Sequence, residues 1–335
     1  MINSTPLISI CIPTYNGSRY IEKCIACCVD QTYRNIEIII NDDGSSDNTL
    51  ELIEQFSKQD TRIKLTQNNK NLGLVANWNR CLELASGQYI KWLFQDDLME
   101  LNAIESFYDI AKKGYDVIVS KRHYVLPDNA TELDKKYYDH DIKKLENYFP
   151  KNAEGFYFSN KQVVDIALSN IALNFIGEPS LLFFKKDLIN TVGNYDPLFY
   201  QICDLEHSMR LSTMKGIYVI NKTLCHFFIH QNSTSTSNIN DKYFYLVNFE
   251  SALFAYKLYH NNVFSNLHKL LSFKQKLKLV VYYKYKIFNA WHISKNQSES
   301  DVYRKAVLDY PFLKASIFDF IVLYPLFYMM SLIKK

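Results

Sequence analysis

Along the first 120 residues apolar and polar positions repeat with two different periods, and the switches between them predict a succession of strands and helices. Leu7–Ile12 is a continuous apolar run stopped by Pro13 and reads as a buried strand, while Arg19–Gln31 spaces its apolar residues as an amphipathic helix. Ile36–Ile40 is a second strand followed by a polar turn over Asn41–Asp47. Thr49–Lys58 reads as helix, Ile63–Thr66 as strand and Val75–Ala85 as helix. Tyr89–Phe94 is a fourth strand that runs into Gln95-Asp96-Asp97. Strands alternating with helices predict an α/β domain around a mainly parallel sheet. In such sheets the loops at the carboxyl ends of the strands border the ligand crevice. Pro13–Gly17, Asn41–Asp47 and Gln95–Asp97 therefore share one rim.

Beyond this unit, residues 124–155 are polar, tyrosine-rich and dense in charge, and read as a long excursion. Regularity returns with an apolar segment at Ser180–Phe184, a turn at Gly193–Pro197, a helix over Asp204–Met214 and a strand over Ile217–Ile220. After about Ser237 the pattern changes to long Lys- and Tyr-rich helices. This predicts one domain over 1–237, with halves at about 1–120 and 155–237, and a helical C-terminal region over 238–335.

Composition adds a location. From Asn266 to Lys295 there are seven lysines and no acidic residue, which favours anionic surfaces. Residues 315–333 are apolar but carry Asp319 and Pro325 and have only the minimum length for a span. The expectation is an interfacial or re-entrant helix at the inner face of the cell membrane, against the alternative of a helix packed on the domain. No secretory signal is expected at the N-terminus. The net charge of +3 gives no case for nucleic acid. Seven cysteines include Cys24, Cys27 and Cys28, but no second Cys/His pair completes a zinc site. They read as buried free thiols of a reducing cytoplasm.

The adjacent carboxylates Asp96 and Asp97 need water, hydrogen bonds or a cation to offset their repulsion. They close a series of motifs in fixed order: Pro-x-Tyr-Asn at 13–16, Gln-Thr at 31–32, Asp-Asp-Gly-Ser-x-Asp at 42–47, Asn-x-Gly at 71–73 and the acidic pair. A second block, GEPSLLFFKKDLINTVGNYDPLFYQICDLEHSMRL, covers 177–211. Together these resemble the inverting family 2 glycosyltransferases of the GT-A fold, a Rossmann-like, mostly parallel sheet flanked by helices. The resemblance covers roughly the first 235 residues.

That resemblance implies a nucleotide-sugar donor, UDP-linked, and a glycan acceptor. Pro13, Thr14, Tyr15 and Asn16 then line the base slot, and Asp42 accepts from the base N3–H. Asp43 orients the same loop or touches ribose, with Asn71, Gly73 and Gln95 completing the donor side. Hard oxygen ligands suit Mn²⁺ or Mg²⁺, and a divalent cation stabilises a diphosphate leaving group. By the family pattern Asp97 binds the metal, Asp96 contacts ribose, and His230 is a further ligand, with His226 a weaker candidate. The common first acid of the motif is replaced by Phe94. Asp204, at a helix start, matches the carboxylate that serves as base, with Glu206 as runner-up and Arg210 as a helix anchor. Glu178 matches a loop on the acceptor side and is given no chemistry. Ser233–Ser237 reads as a lid.

The basic, aromatic C-terminus suggests a lipid-linked acceptor and cell-surface polysaccharide synthesis. Two other classes fit less well. A nucleotidyltransferase needs a Gly-rich basic loop after the first strand, which Pro13–Gly17 lacks. A degenerate membrane scaffold has only Phe94 in its favour, against the retained Asp42, Asp97 and Asp204.

Overall fold

The computed structural model describes residues 5–136, 138, 144–150, 152–230, 244–260, 264 and 270–295. The expected lid at 233–237 and the apolar segment at 315–333 lie outside these residues. The chain divides into two compact units. One comprises Met1–Val163, Asn174–Pro197 and Cys203–His230; the other comprises Val164–Leu173, Leu198–Ile202 and Gln231–Lys335.

The first unit opens with β1 (Ile8–Thr14), α1 (Ile21–Val29), β2 (Ile36–Asp42), α2 (Thr49–Gln59), β3 (Ile63–Gln67), α3 (Leu74–Leu84) and β4 (Tyr89–Trp92). It continues through β5 (Leu98–Met99), α4 (Ala103–Ala111), β6 (Val117–Lys121), β7 (Tyr124–Val125), α5 (Glu132–Lys136), β8 (Gly155–Phe158) and the first turn of α6 (Asn160–Ser169), whose remainder from Val164 belongs to the second unit. Then come β9 (Leu182–Lys185), α7 (Ile189–Val192), α8 (Cys203–Lys215), β10 (Ile217–Thr223) and β11 (Cys225–Phe228). One eight-stranded sheet has the order β3-β2-β1-β4-β9-β6-β10-β8, and a three-stranded sheet has the order β5-β11-β7. Pairing is parallel from β3 through β4 and between β6 and β10, and antiparallel where β9 inserts between β4 and β6.

β1 and β2 are buried at every position, as expected for central parallel strands covered on both faces. The expected stop at Pro13 does not occur: β1 runs on to Thr14, and β2 likewise continues through Asn41 and Asp42. The reason is geometric. The Thr14 carbonyl bonds to Asp43 on the β2 side and the Cys11 carbonyl bonds to Leu93 on the β4 side, so alternate residues face opposite neighbours. Pro13 thus turns its missing N–H toward β4, whose pairing has already ended at Trp92.

The amino-terminal end of the sheet is closed by Glu37, which is 3% exposed. Its carboxylate accepts from Ser9 Oγ at 2.6 Å, Ser86 N at 2.6 Å, Gly87 N at 3.0 Å and the Lys64 ammonium. Burial alone pushes this carboxyl up, but Lys64, Ser9 and Ser86 outweigh it and hold it at about 2. Gly87 is required there, because a Cβ would sit 2.6 Å from the Ser9 nitrogen.

All seven cysteines are free, and all but Cys27 are buried. In the second unit, helix Phe244–His260 packs on helix Phe273–Lys295, and Glu250 accepts from the N–H groups of Tyr200, Gln201 and Ile202. Among the described residues no helix is long and apolar enough to cross a membrane.

Candidate active site

The rim loops are tied to one another by side chains from the motifs. After β1, Asn16 adopts the left-handed conformation (φ 47°), which asparagine tolerates better than most residues. Its N–H donates to Ser45 Oγ at 2.8 Å, and its Oδ1 accepts from Ser46 N at 2.8 Å. Gln95, standing before the acidic pair, makes a reciprocal clamp: Tyr15 N donates to its Oε1 at 2.9 Å and its Nε2 donates to the Tyr15 carbonyl at 3.1 Å. Gly17 permits this approach, since a Cβ would lie 2.3 Å from Gln95 Oε1. Tyr15 itself is 44% exposed on the rim.

After β2, Asp42 is fully buried; its Oδ2 accepts from Gly44 N, Ser45 N and Gln67 Nε2, and its Oδ1 from Ser45 Oγ. Asp43 holds the next loop instead: Oδ1 accepts from Asn68 Nδ2 and Leu72 N, and Oδ2 from Gly73 N. Asn71 Oδ1 also accepts from Gly73 N at 2.9 Å, so the Asn-x-Gly motif is a turn pinned by Asp43. Gly73 has a φ of 90° and precedes α3 as its N-cap. Asp47 precedes Asn48, the N-cap of α2, and accepts from Thr49 N and Ser18 N.

The two members of the acidic pair face different surroundings. Asp97, expected at the metal, is fully buried; Ser180 Oγ donates to its Oδ2 and Phe228 N to its Oδ1 at 3.3 Å. Burial and the Asp96 charge push its carboxyl above the usual range, against these two hydrogen bonds. Asp96, expected at ribose, keeps a side-chain exposure of 20% and places Oδ2 2.8 Å from His230 Nε2. His230 stacks on Tyr20 with ring centroids 4.7 Å apart, and its other ring nitrogen is buried with no hydrogen-bond partner among the described residues. Phe94, in place of the common first acid, packs on Trp78. His226 stands elsewhere, 2.8 Å from Glu100 and 3.0 Å from His123. Among the described residues no three His, Cys, Asp or Glu side chains converge as a complete metal cage.

Asp204 lies in the first turn of α8, where the helix end favours negative charge. Its Oδ1 accepts from Leu205 N at 2.7 Å and its Oδ2 from Asn174 Nδ2 at 2.6 Å. Burial raises its carboxyl to about 7; the Leu205 N–H opposes this, the nearby Glu178 charge adds to it, and Arg122 opposes it again. Glu206, the alternative base, is occupied: it is 2% exposed and pairs with Arg210 at 2.7 Å. Arg210 also donates to the carbonyls of Val192, Gly193 and Asn194, so it anchors the Gly193–Pro197 turn to α8.

Several residues here carry no sequence signal that singles them out. Arg122 is buried, with Nε 3.1 Å from Glu178 Oε2, and Tyr124 OH donates to Glu178 Oε1 at 3.0 Å. The segment Asn174–Ser180 touches both acids at once, Asn174 at Asp204 and Ser180 at Asp97. The only hint in the sequence is an Asn followed three residues later by Gly, which is turn composition.

Comparison with known proteins gives the geometry a context. The profile of Glycosyl transferase family 2 matches residues 9–174. "Glycosyltransferase GlyG" of Streptococcus pneumoniae serotype 4 is 30% identical over 195 residues, 56% of this chain and 59% of that protein; the chain thus aligns with little more than half of that relative's length. Among solved structures, S. aureus TarS 1–349 in complex with UDP-GlcNAc superposes with a TM-score of 0.57 at 16% identity, covering 85% of this chain and 80% of that one. The mannosyltransferase PcManGT of Pyrobaculum calidifontis, in complex with GDP-Man and Mn²⁺, gives a TM-score of 0.53 at 13% identity over 87% of this chain and 76% of that one. At these identities the structural matches speak for the fold alone.

Proposed function

The chain belongs to the family 2 glycosyltransferases and has their GT-A fold, and we propose that it is an inverting, metal-dependent transferase. It moves one sugar from a UDP-sugar to a glycan acceptor carried on lipid, in cell-surface polysaccharide synthesis. The observation that carries this reading is Asp204. A partly exposed carboxylate at a helix start, with its proton affinity raised to about 7, suits a general base working near neutral pH.

The acceptor hydroxyl gives its proton to Asp204 while its oxygen attacks the anomeric carbon from the face opposite the diphosphate. The carbon–phosphate oxygen bond breaks, a new glycosidic bond of inverted configuration forms, and the nucleoside diphosphate leaves. The loops after β1 and β2 hold the nucleotide, with Pro13, Thr14 and Tyr15 beside the base, while Asp42, fully buried and accepting from Gly44, Ser45 and Gln67, orders the second loop from within.

The donor set at the rim fits a divalent cation. Asp96 supplies a carboxylate and His230 an imidazole within 2.8 Å of each other, a combination suited to Mn²⁺, and diphosphate oxygens complete such sites. When bound, the ion offsets the charge that grows on the leaving diphosphate. The proposal thus moves the ligand role from Asp97 to Asp96, because Asp97 is fully buried whereas the Asp96 side chain keeps 20% of its surface exposed. Asp97 instead fixes the strand end from which Asp96 projects.

The membrane reading is supported by helix Phe273–Lys295, where Phe273 and Leu277 are exposed one turn apart beside lysines. Removing residues 315–335 is expected to shift the protein from the membrane to the soluble fraction; an unchanged distribution argues for the packed helix. The activity is tested by nucleotide release across UDP-, GDP- and dTDP-sugars with Mn²⁺. Release from UDP-sugars that is lost on chelation is expected, and release from none of them refutes the assignment.

A further inference from the structure

A base works only if its carboxylate is aimed and charged, and Asp204 is aimed by one side chain from another segment. Asn174 Oδ1 accepts from Gly177 N at 2.9 Å. Since a backbone N–H can only donate, the atom facing it must be the amide oxygen, and this fixes the amide orientation without ambiguity. The NH₂ end is then forced toward Asp204, donating to Oδ2 at 2.6 Å and to the Gly177 carbonyl at 3.2 Å. The Asn174 carbonyl in turn accepts from Arg122 Nη2 at 3.0 Å, and that guanidinium is buried. Gly177 completes the turn at φ 127°, where a Cβ would lie 2.6 Å from Leu181 and 3.2 Å from Arg122. The four residues Asn174–Gly177 are thus locked from both ends, with one amide pointing outward to the base.

We propose that Asn174 is a positioning residue for the reaction: its amide fixes the Asp204 carboxylate in orientation and stabilises its charged form, so that one oxygen meets the acceptor hydroxyl. The proposal rests on the reading of Asp204 as base. The charged and titratable groups around Asp204 are Glu178 and Arg122 from the facing segments, Tyr195, and Cys203 on its own helix. Among these Glu178 works against ionisation and Arg122 for it. Asn174 is the only one of the neighbouring side chains in this turn that donates a hydrogen bond directly to the carboxylate, so its removal leaves the backbone N–H groups of Leu205 and of Asp204 itself as the donors among the described contacts.

The test is a ¹³C NMR titration of carboxyl-labelled aspartate in the full chain, with the Asp204 resonance assigned by its loss in Asp204→Asn. Asn174→Asp keeps the oxygen that Gly177 needs and replaces the donor by a second charge. Its Asp204 midpoint is expected to rise by about one pH unit or more. Asn174→Ala is expected to raise it by less. UDP affinity, read by calorimetry, is expected to stay unchanged in both. A wild-type midpoint near 7 that stays in place in both folded variants overturns the proposal. Should both variants fail to fold, the Asn174 side-chain ¹⁵N resonance of the wild-type protein serves: it is expected to shift with the Asp204 midpoint, and a pH-independent signal refutes the contact. Turnover of Asp204→Asn tests the underlying reading separately. A dead variant with an immobile midpoint removes the positioning role and keeps the base, whereas an active one removes the base itself.

Discussion

Glu37 and Asp204 are acids of the same unit that experience opposite fates, the first buried and the second partly exposed. Glu37, at the amino-terminal end of β2, is surrounded by hydroxyl, backbone and ammonium donors and is held at about 2. Asp204, at the start of α8, receives two hydrogen bonds, faces a second carboxylate and is pushed up to about 7. Both are desolvated; what differs is the supply of donors to the charged form. A carboxylate saturated with donors has a structural task, whereas one left short of them has a raised proton affinity that chemistry can use.

The largest expected effect separates the two acids by function. Asp204→Asn should lower turnover about 10³-fold with UDP affinity intact, as measured by nucleotide release and calorimetry. Glu37→Gln should leave the pH dependence of turnover unchanged. Next in size is the stability of the closed end. Glu37→Ala strands several buried donors and should cost about 3 kcal/mol in urea unfolding; a loss below about 1 kcal/mol would break the comparison.

Their pH dependences should have opposite signs. The depressed Glu37 contributes stability that is present above its unfolded value near 4.5 and is lost as pH falls toward 2. Glu37→Gln should abolish that acid limb. The raised Asp204 carboxyl instead reduces stability as pH climbs from about 4 to about 7. Asp204→Asn should therefore melt higher than wild type at pH 8, by about 2 kcal/mol after allowing for partial exposure, and match it at pH 4. The smallest effect concerns the rim clamp: Gln95→Ala should weaken UDP binding by about 1 kcal/mol or less, read by calorimetry, with turnover at saturation unchanged.

The α/β succession and the shared rim were readable because long apolar runs and helical spacing survive without tertiary information. The strand end at Pro13 was not, because the cost of a proline depends on which neighbour its nitrogen faces, and that follows only from where β4 stops. Adjacent acids posed the same difficulty. Asp96 and Asp97 are equivalent in spacing, yet one turns to Ser180 and the other to His230. Arg210 was readable as a helix anchor, whereas Glu206, expected as the alternative base, turned out to be its i,i+4 partner. Asn174 and Arg122 were silent, since they act through contacts with residues 30 and 52 positions away.

The central claim, that Asp204 is a base tuned by its surroundings, is tested most directly by the pH dependence of nucleotide release at saturating donor between pH 5 and 9. The expected profile rises tenfold per unit, levels off near 7, and collapses in Asp204→Asn. A profile that is flat through this range, with Asp204→Asn retaining full turnover, would contradict it.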